Sequence, residues 1–163
     1  MSLSLLHAIS ALPVDGRQSE TALAIARGTS RLLRSFGFST LSELPLPNGR
    51  RADLVALNAR GEVWIVEIKS SLADFRADQK WEDYRQHCDR LFFAFTRDLP
   101  CEIFPDEVGL IVADSYGAYL HCEAPEHRLA AATRKVMLLR FGQAAAHRLN
   151  RLADPQGHAD PEF

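Results

Sequence analysis

From Ser19 onward the apolar positions of the chain follow two successive periods. Ala22, Ile25, Ala26, Thr29, Leu32, Leu33 and Phe36 recur at helical spacing, with Arg27, Arg31 and Arg34 on the opposite face. Ser19 is suited to accept from the free N–H groups of the first turn and Gly37 to end the last one, so the spacing predicts a surface helix of about five turns. The period then shortens. Apolar and β-branched runs follow at 40–44, 52–57, 63–69, 91–95, 108–114 and 118–122, separated in part by the turn sequences "PNGR" (47–50), "NARG" (58–61) and "SYGA" (115–118). The first three runs read as an antiparallel meander. Between the third and fourth, Trp81, Tyr84, Cys88 and Leu91 keep a helical stripe through "DFRADQKWEDYRQHCDR". A single helix there would carry the chain across to a parallel neighbour. A last helix is predicted over 129–152. The order gives one α/β domain over 19–153, an α/β sandwich with a mixed central sheet, preceded by a loose arm (1–18) and followed by a flexible tail (154–163).

Composition narrows the class only a little. The 163 residues are 47% hydrophobic and 25% charged, ordinary for a globular domain. No apolar run approaches the ~20 residues of a membrane span, and the start lacks the basic and long apolar regions of a secretory signal, so a cytoplasmic location without membrane contact is expected. Cys88, Cys101 and Cys122 are odd in number and unpaired in spacing, which suits reduced thiols. The net charge of −2 means that any contact with nucleic acid must come from a local basic patch.

The run "VWIVEIKSS" (63–71) carries the chemistry. Alternation along a strand places Val63, Ile65, Glu67 and Lys69 on one face, so a carboxylate and an ammonium are neighbours inside an apolar segment. On the preceding run Asp53 shares its face with Arg51 and Val55, and the short "NARG" connection folds that run back beside Glu67. Two carboxylates and a lysine converge, a cluster costing several kcal/mol of lost hydration if it served nothing. A hard divalent cation resolves the imbalance. Mg²⁺ or Mn²⁺ takes carboxylate and carbonyl oxygens, so Asp53, Glu67 and the backbone carbonyl of Ile68 form the candidate metal set, with Lys69 beside them to serve a water or a developing charge. A structural Glu–Lys pair at a sheet edge is the competing explanation.

An Asp on one strand followed by Glu-x-Lys on the next resembles the PD-(D/E)xK, or restriction-endonuclease-like, nuclease superfamily. A longer stretch of sequence, "NGRRADLVAL…GEVWIVEIKSSLADFRADQKWEDYRQHCDRLFFAF" with "IFPDEVGLIVAD" and "APEHRLAAATRKVMLLRF", resembles the MmcB-like DNA repair proteins of bacteria. The resemblance implies a restriction-endonuclease-like α/β sandwich and a metal-dependent deoxyribonuclease acting on damaged, branched or single-stranded DNA. It implies Asp53 and Glu67 as metal ligands, Lys69 as the catalytic lysine, and other repair proteins as partners. Ala52, where many members have proline, precedes Asp53. An alternative is a nuclease-fold DNA-binding module with little or no turnover that recruits repair partners; a protein-interaction domain is a third. Many nucleases of this kind act as homodimers, although no sequence feature marks an interface.

Further candidates have weaker signals. Glu20, in the first turn of the first helix, is a candidate additional ligand, as is Glu43 on the first strand; the helix dipole also explains an acid at position 20. Arg50, Arg51, Arg76, Lys80 and Arg85 are candidates for the local DNA-binding patch. Trp81 and Tyr84 have the helical spacing of core residues but could stack on bases. His87-Cys88 and His121-Cys122 lack the close ligand pairs of structural zinc.

Overall fold

A computed structural model of the protein describes residues 19–78 and 80–157. The expected arm (1–18) and most of the expected tail (158–163) lie outside the described residues. Helix α1 (Glu20–Ser35) starts where Ser19 Oγ accepts the N–H of Ala22 at 3.1 Å and is followed by Gly37 at φ +86°, a conformation that suits glycine. Six strands follow: β1 (Phe38–Pro45), β2 (Arg51–Asn58), β3 (Val63–Lys69), β4 (Arg90–Phe95), β5 (Gly109–Ala113) and β6 (Ala118–Cys122). They form one sheet in sequence order, antiparallel at β1–β2, β2–β3 and β5–β6 and parallel at β3–β4 and β4–β5. Helix α4 (Ala131–Ala153) closes the chain.

The predicted meander, the parallel crossover and both long helices are present. The single helix predicted between β3 and β4 is not. The segment forms two short helices, α2 (Leu72–Ala77) and α3 (Glu82–Arg85), separated by an extended Asp78. Asp78 leaves helical geometry where its carboxylate turns to meet Lys69 at the end of β3. The stripe was nonetheless a core stripe, because Trp81, Tyr84, Cys88 and Leu91 all pack into one cluster.

The sheet separates two cores. Ile25 and Leu33 of α1 cover Leu54, Trp64, Val66, Phe92 and Ile111 on one face. Met137, Phe141 and Ala144 of α4, with Tyr84 and Cys88, cover Val55, Ile65, Phe93 and Phe95 on the other. All seven residues of β3 are buried, so the charged ends of Glu67 and Lys69 lie at the edge of the second core, beyond Ile65. None of the helices among the described residues is long and apolar enough to cross a membrane.

One close approach sets the seat of α1. A Cβ added at Gly28 would lie 2.2 Å from the carbonyl oxygen of Asp114 and 2.5 Å from that of Gly117, so only glycine lets the helix touch the β5–β6 turn. Arg31 fastens the same contact by donating to the carbonyls of Ser115 and Tyr116. Gly28→Ala should therefore destabilise the fold by about 1–3 kcal/mol despite the better helix propensity of alanine. Urea unfolding measures this; a neutral or stabilising result would mean that α1 can shift away from the turn.

Candidate active site

The antiparallel ladder between β2 and β3 runs from Leu57↔Val63 to Leu54↔Val66 and stops before Asp53 and Glu67. There the strands are bridged by side chains instead. Glu67 Oε1 accepts the N–H of Asp53 at 3.1 Å, and Asp53 Oδ2 accepts the N–H of Ile68 at 2.7 Å. Each carboxylate satisfies a backbone donor that the ladder has abandoned, which fixes both side chains. Each also keeps a second oxygen, Asp53 Oδ1 and Glu67 Oε2, with no hydrogen bond among the described residues.

The electrostatics follow from this geometry. Burial raises the Asp53 carboxyl to about 6, against the lowering influence of the Ile68 N–H and the Lys69 ammonium. Burial, reinforced by the neighbouring Asp53 charge, pushes Glu67 well above the ordinary carboxyl range. Lys69 does not offset them by direct contact. Its Nζ, almost fully buried, sits 2.5 Å from Asp78 Oδ2 and 5.6 Å from the centre of the Phe93 ring. Burial alone would raise Asp78, but the hydrogen bond and charge of Lys69 carry it below its ordinary value.

These groups line a cleft of about 590 Å³ at the carboxyl end of β3. Asp53, Glu67, Ile68 and Lys69 meet there, and so do Arg50, Arg51, Lys80 and Glu43. Glu43 stands opposite Asp53 between the pairs Ser42↔Leu54 and Leu44↔Ala52, in a left-handed conformation at φ +50°. Arg148 of α4 secures that turn by donating to the carbonyls of Ser42 and Glu43. Glu20, Arg76 and Arg85 are not on the cleft wall. The Arg85 guanidinium instead meets the His127 ring and the Glu107 carbonyl and lies over the Trp81 ring. Trp81 packs against Phe93, whereas Tyr84 does reach the cleft, with its hydroxyl directed at the Arg51 carbonyl.

Sequence reasoning missed two acids on the wall, Asp74 and Asp78. Asp74 is legible in retrospect: it stands at the third position of a Ser71-x-x-Asp capping pattern, and its carboxylate accepts from Ser70. Asp78 has no such signal, since its partner lies nine residues back on a strand. The basic patch is also weaker than expected. Arg50 is held by Asp83 through two bonds of 2.8 and 3.0 Å, and Arg51 faces Glu43 at 3.6 Å. The histidine–cysteine pairs do not form a site: Cys88 is buried with its thiol pushed up to about 12 by that burial, while His121 and Cys122 are exposed on β6. Among the described residues no group of three or more His, Cys, Asp or Glu side chains is gathered to hold a metal ion, and the three cysteines are free.

Fold and site together define an α/β sandwich protein that buries two carboxylates and a lysine at the open end of a central strand. The chain matches the family described as "DNA repair protein MmcB-like" over residues 10–156, and it belongs to that family of DNA repair proteins. Among solved structures it is similar to a protein of unknown function from Silicibacter pomeroyi, at 44% identity and a TM-score of 0.83, with 89% of this chain and 99% of that one covered. None of the curated proteins compared with it matches.

Proposed function

We propose that this chain is a metal-dependent deoxyribonuclease of the PD-(D/E)xK type that hydrolyses phosphodiesters in damaged or branched DNA. The observation that carries the reading is the pair of fixed carboxylates, each with one oxygen left toward the cleft and each held above its ordinary proton affinity by burial. A divalent cation suits that donor set: it replaces the protons and relieves the repulsion between Asp53 and Glu67. Asp53, Glu67 and the Ile68 carbonyl would hold Mg²⁺ or Mn²⁺, which when bound supplies Lewis acidity and a more acidic water. Charge supports the order of events. The cleft wall carries Glu43, Asp53, Glu67, Asp74 and Asp78 against Arg50, Arg51, Lys69 and Lys80, so it does not draw phosphate strongly until a cation is in place. Lys69 donates to a phosphate oxygen or orients the attacking water, and Asp78 holds its ammonium at the strand end until substrate arrives.

A second reading is a DNA-binding module of the same fold that recruits repair partners without turnover. The observation favouring it is that only two carboxylates with a free oxygen converge, short of a three-residue metal cluster. The test is cleavage of labelled single-stranded, duplex, flapped and four-way-junction DNA with Mg²⁺ or Mn²⁺, comparing the intact protein with Asp53→Ala and Lys69→Ala. Metal-dependent products lost in both variants support the nuclease. DNA retained but uncut by the intact protein would establish the recruiting module.

Cation uptake has its own signature. Protons compete for Asp53 as pH falls through about 6, so millimolar Mn²⁺ should raise the melting temperature by several degrees at pH 8 and by little at pH 5. An equal shift at both pH values would place the ion elsewhere.

A further inference from the structure

Helix α4 turns Met137, Phe141 and Ala144 onto the sheet and leaves its opposite face bare. Among the described residues six large apolar side chains are exposed, and three of them, Val136 (41%), Leu139 (56%) and Leu149 (65%), lie on this one helix. A surface helix normally turns polar residues outward, so the concentration marks a face suited to be covered. Gly142 stands on that face, and a Cβ added there would meet nothing within 4 Å. Nothing in this chain therefore requires a glycine at a mid-helix position where glycine is unfavourable. Close approach of a second backbone would require it.

The face is also complementary to itself. Ala132, Leu139, Ala146 and Ala153 recur every seven residues, as do Lys135, Gly142 and Leu149, the repeat of paired helices. We propose that α4 pairs antiparallel with α4 of a second copy of this chain, about a two-fold axis passing between Gly142 and Gln143. Residues equidistant from that axis then lie level. Leu139 of each copy faces Ala146 of the other, Ala132 faces Ala153, and the two helices approach closest at Gly142. The exposed Leu149 of each copy reaches the groove of about 510 Å³ that Leu129, Lys135, Leu138 and Leu139 form on the other. The contact is isologous, so it closes as a dimer.

Charge separates a second copy from nucleic acid as the occupant. Between Ala131 and Ala153 there is no Asp or Glu. Arg134, Arg140 and Arg148 are engaged within the chain, which leaves Lys135 and Arg151 as exposed cations flanking an uncharged centre. Two such helices repel weakly, so their pairing strengthens with salt, whereas phosphate binding weakens with salt.

The test is sedimentation equilibrium of the full chain across the micromolar range at low and high salt. The expected result is a dimer that tightens with salt and whose dissociation constant rises at least about tenfold in Leu139→Glu and Gly142→Leu, with unchanged circular dichroism. Gly142→Ala should raise the melting temperature of the monomer while weakening the dimer, two opposite signs that a purely internal role would not produce. In a Cys101→Ser, Cys122→Ser background, Gln143→Cys should form a covalent dimer on oxidation and Lys135→Cys should not. A monomer throughout the range, a dimer indifferent to Leu139→Glu and Gly142→Leu, or cross-linking at Lys135→Cys in place of Gln143→Cys would overturn the proposal. None of these readouts depends on DNA cleavage.

Discussion

Asp53→Asn should reduce metal-dependent DNA cleavage by at least about 10²–10³-fold and at the same time make the metal-free protein more stable at pH 8. The two effects have one cause. Asp53 in the folded protein titrates near about 6, above its ordinary value of 3.8, because burial disfavours its charge. A raised carboxyl contributes stability that is fully present below its unfolded value and is lost as pH rises through the folded one. At pH 8 the ionised side chain thus withholds about 3 kcal/mol, at roughly 1.4 kcal/mol per pH unit of displacement. Asparagine is never charged, and its Oδ1 can still accept the Ile68 N–H that Asp53 Oδ2 accepts. The stabilisation should therefore be largest at pH 8 and shrink as pH falls below about 6. Melting curves at pH 8 and pH 5 read it directly. A variant less stable than the parent at pH 8 would show that the ionised Asp53 is net stabilising, held by Lys69 more strongly than burial opposes it.

Asp89→Ala should cost about 3–5 kcal/mol, the largest single-residue loss outside the apolar cores. Asp89 is 2% exposed and accepts four hydrogen bonds: from the N–H of Val63 (2.8 Å), the N–H of Leu129 (2.9 Å) and two Arg134 nitrogens (2.7 Å each). It binds the amino ends of β3 and β4 to the segment leading into α4, and Arg134 extends the tie to the Gly61 carbonyl. Burial alone would raise this carboxyl, but the Arg134 bonds and the two backbone donors carry it below its ordinary value. Its contribution is accordingly present above the usual aspartate range and lost in strong acid. Alanine leaves two backbone donors and a guanidinium without their acceptor, whereas Asp89→Asn keeps part of the set and should lose less. Urea unfolding of the two variants measures the order; a loss below about 1 kcal/mol for alanine would mean that water replaces the carboxylate with ease.

Local signals carried the elements because they act within a few residues. Ser19 and Gly37 bounded α1, and "PNGR" and "NARG" closed the turns around β2, where Gly49 and Gly61 do take positive φ. Alternation on β3 and a short turn sufficed to bring Asp53 beside Glu67, since register in a tight hairpin follows from chain geometry. The same logic failed between β3 and β4. A continuous helical stripe was broken by Asp78, whose partner Lys69 lies on the preceding strand, and no periodicity encodes a contact of that kind. Arg76, Lys80 and Arg85 looked equivalent as surface cations, yet only Lys80 reaches the cleft. Asp89 gave no signal at all, because its role depends on Val63, Leu129 and Arg134 arriving from three separate segments. The sequence by itself thus determined the α/β order, the paired carboxylates and the lysine beside them. Only the tertiary structure decided which acid holds that lysine, which cations face the cleft and which face of α4 stays bare, because each of these is set by side chains distant in sequence competing for the same partners in space.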